Sequence, residues 1–386
     1  MQTLALLVDS WRLLASRKLF WLTLILNLLV VVLYGSIAIT EKGISLGFGL
    51  WEIESEEFRL GSPLARTVLM PFINVQIISF WLAWVATGLG LISTASIFPD
   101  FLADGAIDMV LAKPISRLKA FVLKFIGALL FVTLQVTVFC VASLLVGRFR
   151  LGEWQWMLLA AIPVVVLFFS YIYSVSVLVG VATRSSIAAI LAAGVFWLAI
   201  WGVQSAEQIS MRISTQFTAV AELRPKMIEA REASLARLAA EGKNSDNSDE
   251  YERVRGRIET MRGQLISETE AAQQAQAWQR TFYAATAVIP KTKGTVGLID
   301  RWFAPDTEAS SLSEVLMMTF SSRRSAERDA VPENEDDLRR MAARRGELEA
   351  ERIESSRSVG WVIGTSLAFE FVILAIAAII FVRRDF

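Results

Sequence analysis

The stretch FPDFLADGAIDMVLAKPISRLKAFVLK, Phe98 to Lys124, decides how the chain is read. A hydrophobic run ends at Ala95–Pro99, and a second begins near Lys119. Between them Asp100, Asp104 and Asp108 recur every fourth residue, which sets three carboxylates on one helical face. Phe98, Phe101, Leu102, Met109 and Val110 fall mostly on other faces. Lys113-Pro-Ile-Ser-Arg117 then stops that short helix, because Pro114 cannot continue it and Ser116 can cap the next one. A charged helical stub between two apolar spans reads as a docking element presented at a membrane surface.

The remainder of the chain agrees with a membrane setting. Of its 386 residues 54% are hydrophobic, and they are gathered into long runs without charge, so the chain is an integral membrane protein rather than an ordinary soluble enzyme. Lys plus Arg and Asp plus Glu are balanced at 38 each, so no global field recruits nucleic acid. Histidine is absent and Cys140 is the single cysteine. That removes disulfides, thiolate or imidazole metal clusters and imidazole-based triads, and implies no metal and no cofactor. No phosphate-binding Gly-rich loop ending in Lys-Ser or Lys-Thr occurs, so ATP, if it drives this protein, is bound by another chain.

A hydrocarbon core takes about 20 apolar helical residues to cross. Six segments qualify: 19–40, 71–97, 119–147, 156–182, 186–204 and 361–382. The sequence therefore predicts an all-α polytopic fold with six transmembrane helices and both termini on one side. Arg12, Arg17, Lys18, Lys113, Arg117, Lys119, Lys124, Arg184, Arg383 and Arg384 flank the ends on that side, which favours the cytoplasm for it and an inner (plasma) membrane location. Lys42, Arg59, Arg66, Arg148 and Arg150 dissent, although the first outer loop also holds Glu52, Glu54, Glu56 and Glu57. Ahead of the first span, Leu4, Leu7, Val8, Trp11 and Leu14 repeat at helical spacing, so residues 1–18 are expected as an interfacial helix.

Residues 205–360 depart from membrane composition and are expected as an extracytoplasmic helical domain between spans five and six. Tyr251, Val254, Ile258, Met261, Leu265 and Ala272 keep a three-four spacing that predicts a coiled-coil seam, interrupted by Glu268. An earlier block (Ile213, Phe217, Val220, Leu223, Met227, Leu235, Leu238) contains Pro225, so a hairpin between the two is expected with its register open. Trp278–Ile289 and Leu298–Phe303 read either as helices dipping into the outer interface, where Trp278, Tyr283 and Trp302 would be at home, or as packed core. A loop over 321–337 and a charged helix over 338–357 lead to the last span, in the segment 361–386.

Within the spans, Glu370 is the intramembrane functional candidate, since a carboxylate at mid-bilayer is costly unless paired or hydrated. Asn74, Gln76 and Gln135 read as interhelical hydrogen bonds. Small pairs at Gly360/Gly364 and Ala189/Ala193 permit close helix approach, within the chain or to a second copy.

Gly105, Asp108, Leu111, Pro114, Ile115, Ser116 and Arg117, with Lys124 opening the next span, resemble the motif region of type 2 ABC exporter permeases. The likeness is greatest to the multi-span branch that includes permeases of copper-enzyme maturation systems, and covers about residues 1–204 and 361–386. It implies a permease homodimer or heterodimer docked on cytoplasmic ABC ATPase subunits. The coupling segment is 98–118, with Asp100, Asp104, Gly105, Asp108, Lys113, Pro114, Ser116 and Arg117 as its contact residues. The outer insertion is larger than that family's hairpin and suggests a periplasmic or extracellular partner. A membrane-anchored scaffold, whose extracytoplasmic coiled coil recruits an envelope partner, is the competing expectation.

Overall fold

The computed structural model describes residues 18–55, 62, 80–102, 116–151, 154, 156–240, 249–303 and 331–383. The expected interfacial helix over 1–18, with Asn74, Gln76 and Trp302, lies outside the described positions or side chains. Apolar helices dominate the rest. They are α1 (Lys18–Ser36), α2 (Thr87–Thr94), α3 (Ile97–Phe101), α4 (Arg117–Leu151), α5 (Met157–Thr183), α6 (Ser186–Ala240), α7 (Asp249–Val288), α8 (Thr292–Phe303), α9 (Glu335–Ser356) and α10 (Val359–Arg383). Among the described residues five helical stretches are long and apolar enough to cross a membrane: Trp81–Phe101, α4 over Arg117–Phe149, α5, α6 and α10. The chain is a mainly α-helical, multi-pass membrane protein. Helix α1 is apolar but shorter, ending at Ser36.

One departure from helix was not foreseen. Where a charged outer loop was expected, the chain forms an antiparallel meander of β1 (Ala38–Thr40), β2 (Gly43–Leu46) and β3 (Trp51–Glu54). Ala38 pairs with Ser45 and Leu46 with Trp51. The signal was the alternation over residues 43–54 together with glycines at 43, 47 and 49, all three at positive φ, a conformation that glycine adopts at little steric cost.

The described residues form two compact units, one from 18–200, 290–303 and 362–383, the other from 201–240, 249–289 and 331–361. In the first, α4 packs along α1 and α5, and Leu82, Phe131, Phe139, Leu158, Phe169, Ile172 and Phe381 sit in one buried core. Polar side chains join its helices as hydrocarbon requires: Trp81 Nε1 donates to Asn27 Oδ1 at 2.8 Å, and Gln135 donates to Thr23 Oγ1, the interhelical role read for it. Trp81–Ala86 is wound as a π-turn, and the Thr87 hydroxyl donates to the Leu82 carbonyl at 3.0 Å across it. Residues 290–303, read as part of the outer domain, group here with the apolar helices.

The second unit is built on α6, α7 and α9. Contacts climb α6 as they descend both partners: Thr218, Arg224 and Glu232 meet Gln276, Glu268 and Arg262 on α7, while Gln208, Arg212 and Arg224 meet Glu354, Glu347 and Glu335 on α9. Both therefore run antiparallel to α6. Their apolar sides share one core of Leu223, Met227, Ile228, Ile258, Met261, Leu338 and Ala342. Gly346 lets α9 reach the α6 backbone, since a Cβ there would stand 2.7 Å from Gln216 Cα. Pro225 does not end α6, which runs through it to Ala240. Loss of one helical hydrogen bond there is offset by burial of the flanking Leu223 and Met227.

Beside Pro225, Arg224 explains the seam's interruption at Glu268. Its side chain is 3% exposed, and all five guanidinium N–H groups are used. Nε and Nη2 donate to Glu268 at 2.5 Å each, Nη1 and Nη2 to Glu335 at 2.7 and 3.1 Å, and Nη1 also to Gln264 at 2.9 Å. Burial disfavours the charge of Arg224, yet its bonds to Glu335 and Glu268 hold its pKa above the ordinary value. The same bond from Arg224 holds the Glu335 carboxyl below its ordinary 4.5.

Removing the cation alone strands two facing carboxylates. Arg224→Met should therefore cost on the order of 3 kcal/mol in thermal unfolding of the solubilised chain, while Arg224→Met with Glu268→Gln and Glu335→Gln recovers most of that loss. The Glu335 contribution is complete above pH 4.5 and disappears as pH falls through its lower folded-state value. Resistance of α6–α7 to proteolysis should drop over that acid window.

Candidate functional site

Glu370 lies near the middle of α10 and is 7% exposed. Its Oε2 accepts a hydrogen bond from Ser170 Oγ of α5 at 2.9 Å, and the same hydroxyl stands 2.8 Å from the Leu167 carbonyl. One turn earlier on α10, Ser366 Oγ donates to the Val362 carbonyl and accepts the Lys291 N–H at 2.9 Å. Lys291 Nζ donates to Thr365 Oγ1 at 2.7 Å. The Tyr171 hydroxyl is buried beside Thr295 and Ser366 with no hydrogen bond of good geometry.

Helix α8 brings the third wall of this cluster. Thr292, Thr295 and Leu298 recur every third residue and are all buried, and α8 packs on α5. The Thr295 hydroxyl is consumed locally by the Lys291 carbonyl at 2.9 Å. Only Glu370 of this set was read from the sequence. Lys291, Thr292 and Thr295 fell in a stretch taken as the join between two interfacial elements, and the Thr292–Thr295–Leu298 spacing was the overlooked sign of a packed face.

Magnitudes separate two roles for Glu370. A carboxylate at the centre of a membrane helix costs about 2.5–3.5 kcal/mol. An interhelical hydrogen bond of the kind Ser170 supplies returns about 0.6 kcal/mol and at most about 1.7. The bond alone does not offset an ionised acid, which marks Glu370 as the candidate functional residue of the apolar helices.

A second cluster lies at the far end of α10. The Phe101 ring stacks on Phe381 with centroids 5.9 Å apart, Phe121 lies against both Phe98 and Phe381, and the Arg117 Nη1 donates to the Val382 carbonyl at 3.2 Å. The end of α3, the start of α4 and the end of α10 thus meet at one end of the apolar unit. Lys124 is buried there with its Nζ 5.3 Å from the Phe101 ring centroid. Phe98, Phe101 and Leu102 are buried against protein, while Asp100, within α3, is exposed. Ser116 precedes α4 and its Oγ accepts the Lys119 N–H at 3.3 Å, the cap its position predicts. Asp104, Gly105, Asp108, Lys113 and Pro114 lie outside the described residues.

The two small pairs differ. Ala189 and Ala193 are fully buried, whereas a Cβ at Gly360 or Gly364 would meet nothing within 4 Å among the described residues.

In comparison with known proteins, no family model, no curated protein and no solved structure matches this chain.

If Glu370 costs more than it returns, Glu370→Leu should raise the melting temperature of the detergent-solubilised protein, and Ser170→Ala should lower stability by about 1 kcal/mol. A melting temperature that falls on Glu370→Leu would make the carboxyl a structural tie.

Proposed function

We propose that this chain is the membrane-spanning permease subunit of an ATP-driven ABC exporter, with both ends in the cytoplasm of an inner-membrane protein. Residues 98–118 dock on separate ATPase subunits. The observation that carries this reading is the meeting of α3, α4 and α10 at the two described ends of that segment. Arg117 is bonded to the last turn of α10, and Asp100 is exposed on α3, at the start of the segment. A push on the segment from outside the bundle would reach the helix that holds Glu370 directly. The Gly105–Arg117 pattern and Lys124 support the same assignment by resemblance.

On this reading α1 is the first of six spans. The open Gly360–Gly364 face of α10 serves a second permease copy. Residues of the second unit form the extracytoplasmic insertion, a coiled-coil-like hairpin of α6 and α7 joined by α9, and receive a partner outside the membrane. The protein carries out no catalysis itself. A scaffold function draws its support from that insertion alone, whose cross-helix ion network is more than a simple loop needs.

The two are separated by two measurements on membranes containing the full chain. A soluble ATPase should co-purify with the wild-type protein and be lost on Asp100→Lys, Asp104→Lys and Asp108→Lys together, with the chain still inserted. Deleting residues 212–357 should leave ATPase assembly intact. A chain that purifies without an ATPase, or loses all function with that deletion alone, sinks the permease reading in favour of the scaffold.

A further inference from the structure

The meander after α1 has two ends of opposite chemistry. Its strands are antiparallel, so the Glu41–Lys42 turn lies at one end of the sheet and the Gly47–Leu50 turn at the other. The Gly47–Leu50 end is also where Ala38 leaves α1, because Ala38 pairs with Ser45 and Leu46 with Trp51. The short helical turn Gly47–Gly49 packs back against α1.

At that helix-proximal end Phe48, Leu50 and Trp51 are 61%, 78% and 68% exposed. Phe48 is held in the left-handed region at φ 61°, between two glycines that are also at positive φ. This is a conformation an aromatic residue seldom adopts. The far end is exposed and charged at Glu41 and Lys42, with Glu54 paired opposite Gly43, and Lys42 reaches back along the sheet to within 3.8 Å of Glu52. Along β3, alternation sends Trp51 and Ile53 to one face and Glu52 and Glu54 to the other. Water has no use for the first set, and a bilayer has none for the second.

The apolar turn continues the exposed apolar surface of α1. Trp21, Leu22, Ile25, Leu29, Val32 and Leu33 are exposed along α1. Gly35 stands against Val146 near the end of α4, and just past that helix Trp154 and Trp156 stack at 5.0 Å, with Phe149 among the most exposed apolar residues. Aromatic side chains gathered where helices leave the hydrocarbon are the pattern of a headgroup-level belt.

We infer that the Gly47–Trp51 turn is a membrane-inserted anchor, with Phe48, Leu50 and Trp51 seated at the boundary between lipid headgroups and acyl chains and the Glu41–Lys42 turn held in water. The occupant of this apolar face is the bilayer that the adjoining helices cross. The anchor fixes the depth at which α1 emerges and holds the meander close to the membrane plane.

The test uses the full chain in a Cys140→Ala background, reconstituted in phosphatidylcholine and phosphatidylglycerol vesicles. A nitroxide is attached at Leu50→Cys, at Trp51→Cys or at Lys42→Cys. The expected result is that oxygen relaxes the labels at 50 and 51 several-fold more than a water-soluble nickel chelate does, with the order reversed at 42. Labels at 50 and 51 that follow the nickel chelate as the one at 42 does would overturn the inference, since the turn would then stand in water. Exclusion of both reagents would overturn it too, by making a second copy or another protein the occupant. The vesicle measurement does not depend on an ATPase, so it stands or falls separately from the permease reading.

Discussion

Hydrocarbon offers a backbone no hydrogen bonds, and that one constraint organises the rest of this molecule. It forces the apolar runs into helices. It also makes each polar side chain within them an exception that must be answered by a neighbour. Asn27 is answered by Trp81, Thr23 by Gln135, and the Lys291 N–H by Ser366. Each bond ties two elements distant in sequence, so the positions at which the helices cross are fixed by a few polar contacts set within a core otherwise made of Phe, Leu, Val and Ala. Glu370, an acid among them, is answered by the Ser170 hydroxyl.

Much of this was legible in the sequence, for reasons that lie in the physics of each element. Charge-free runs near the length of a bilayer admit one interpretation, so α4, α5 and α10 were readable nearly to their ends. The Ser116 cap was readable because a proline two residues earlier leaves the following helix in need of one. The meander was not, because strands of three and four residues carry too few alternations to stand out against a loop. Its decisive residues are glycines, whose role depends on backbone angles that a string of letters does not give.

The second unit shows a different limit. Apolar spacing in 251–272 located a packed face, yet Glu268 looked like a fault in it. The fault is an ion-pair node, with Arg224 drawn from another helix and Glu335 from a third. A seam can be read from one helix, but a buried charge can be explained only by its partners, and these come from positions more than forty residues away. Pro225 misleads in the same way. Beside a fully satisfied arginine and between two buried apolar residues, it is carried within α6 by contacts that no local rule includes.

The placement of α10 joins the two candidate clusters. Its middle carries Glu370, bonded to Ser170, and its last turn accepts Arg117 at the start of α4. An α-helix transmits an axial or tilting displacement along its length because every backbone bond in it is already made. The Arg117 end and the Glu370 site are therefore joined by one continuous helix. Around its middle lie the Ser170–Glu370 bond and the bonds of Lys291 to Ser366 and Thr365. These polar contacts lie along the same helix whose last turn accepts Arg117.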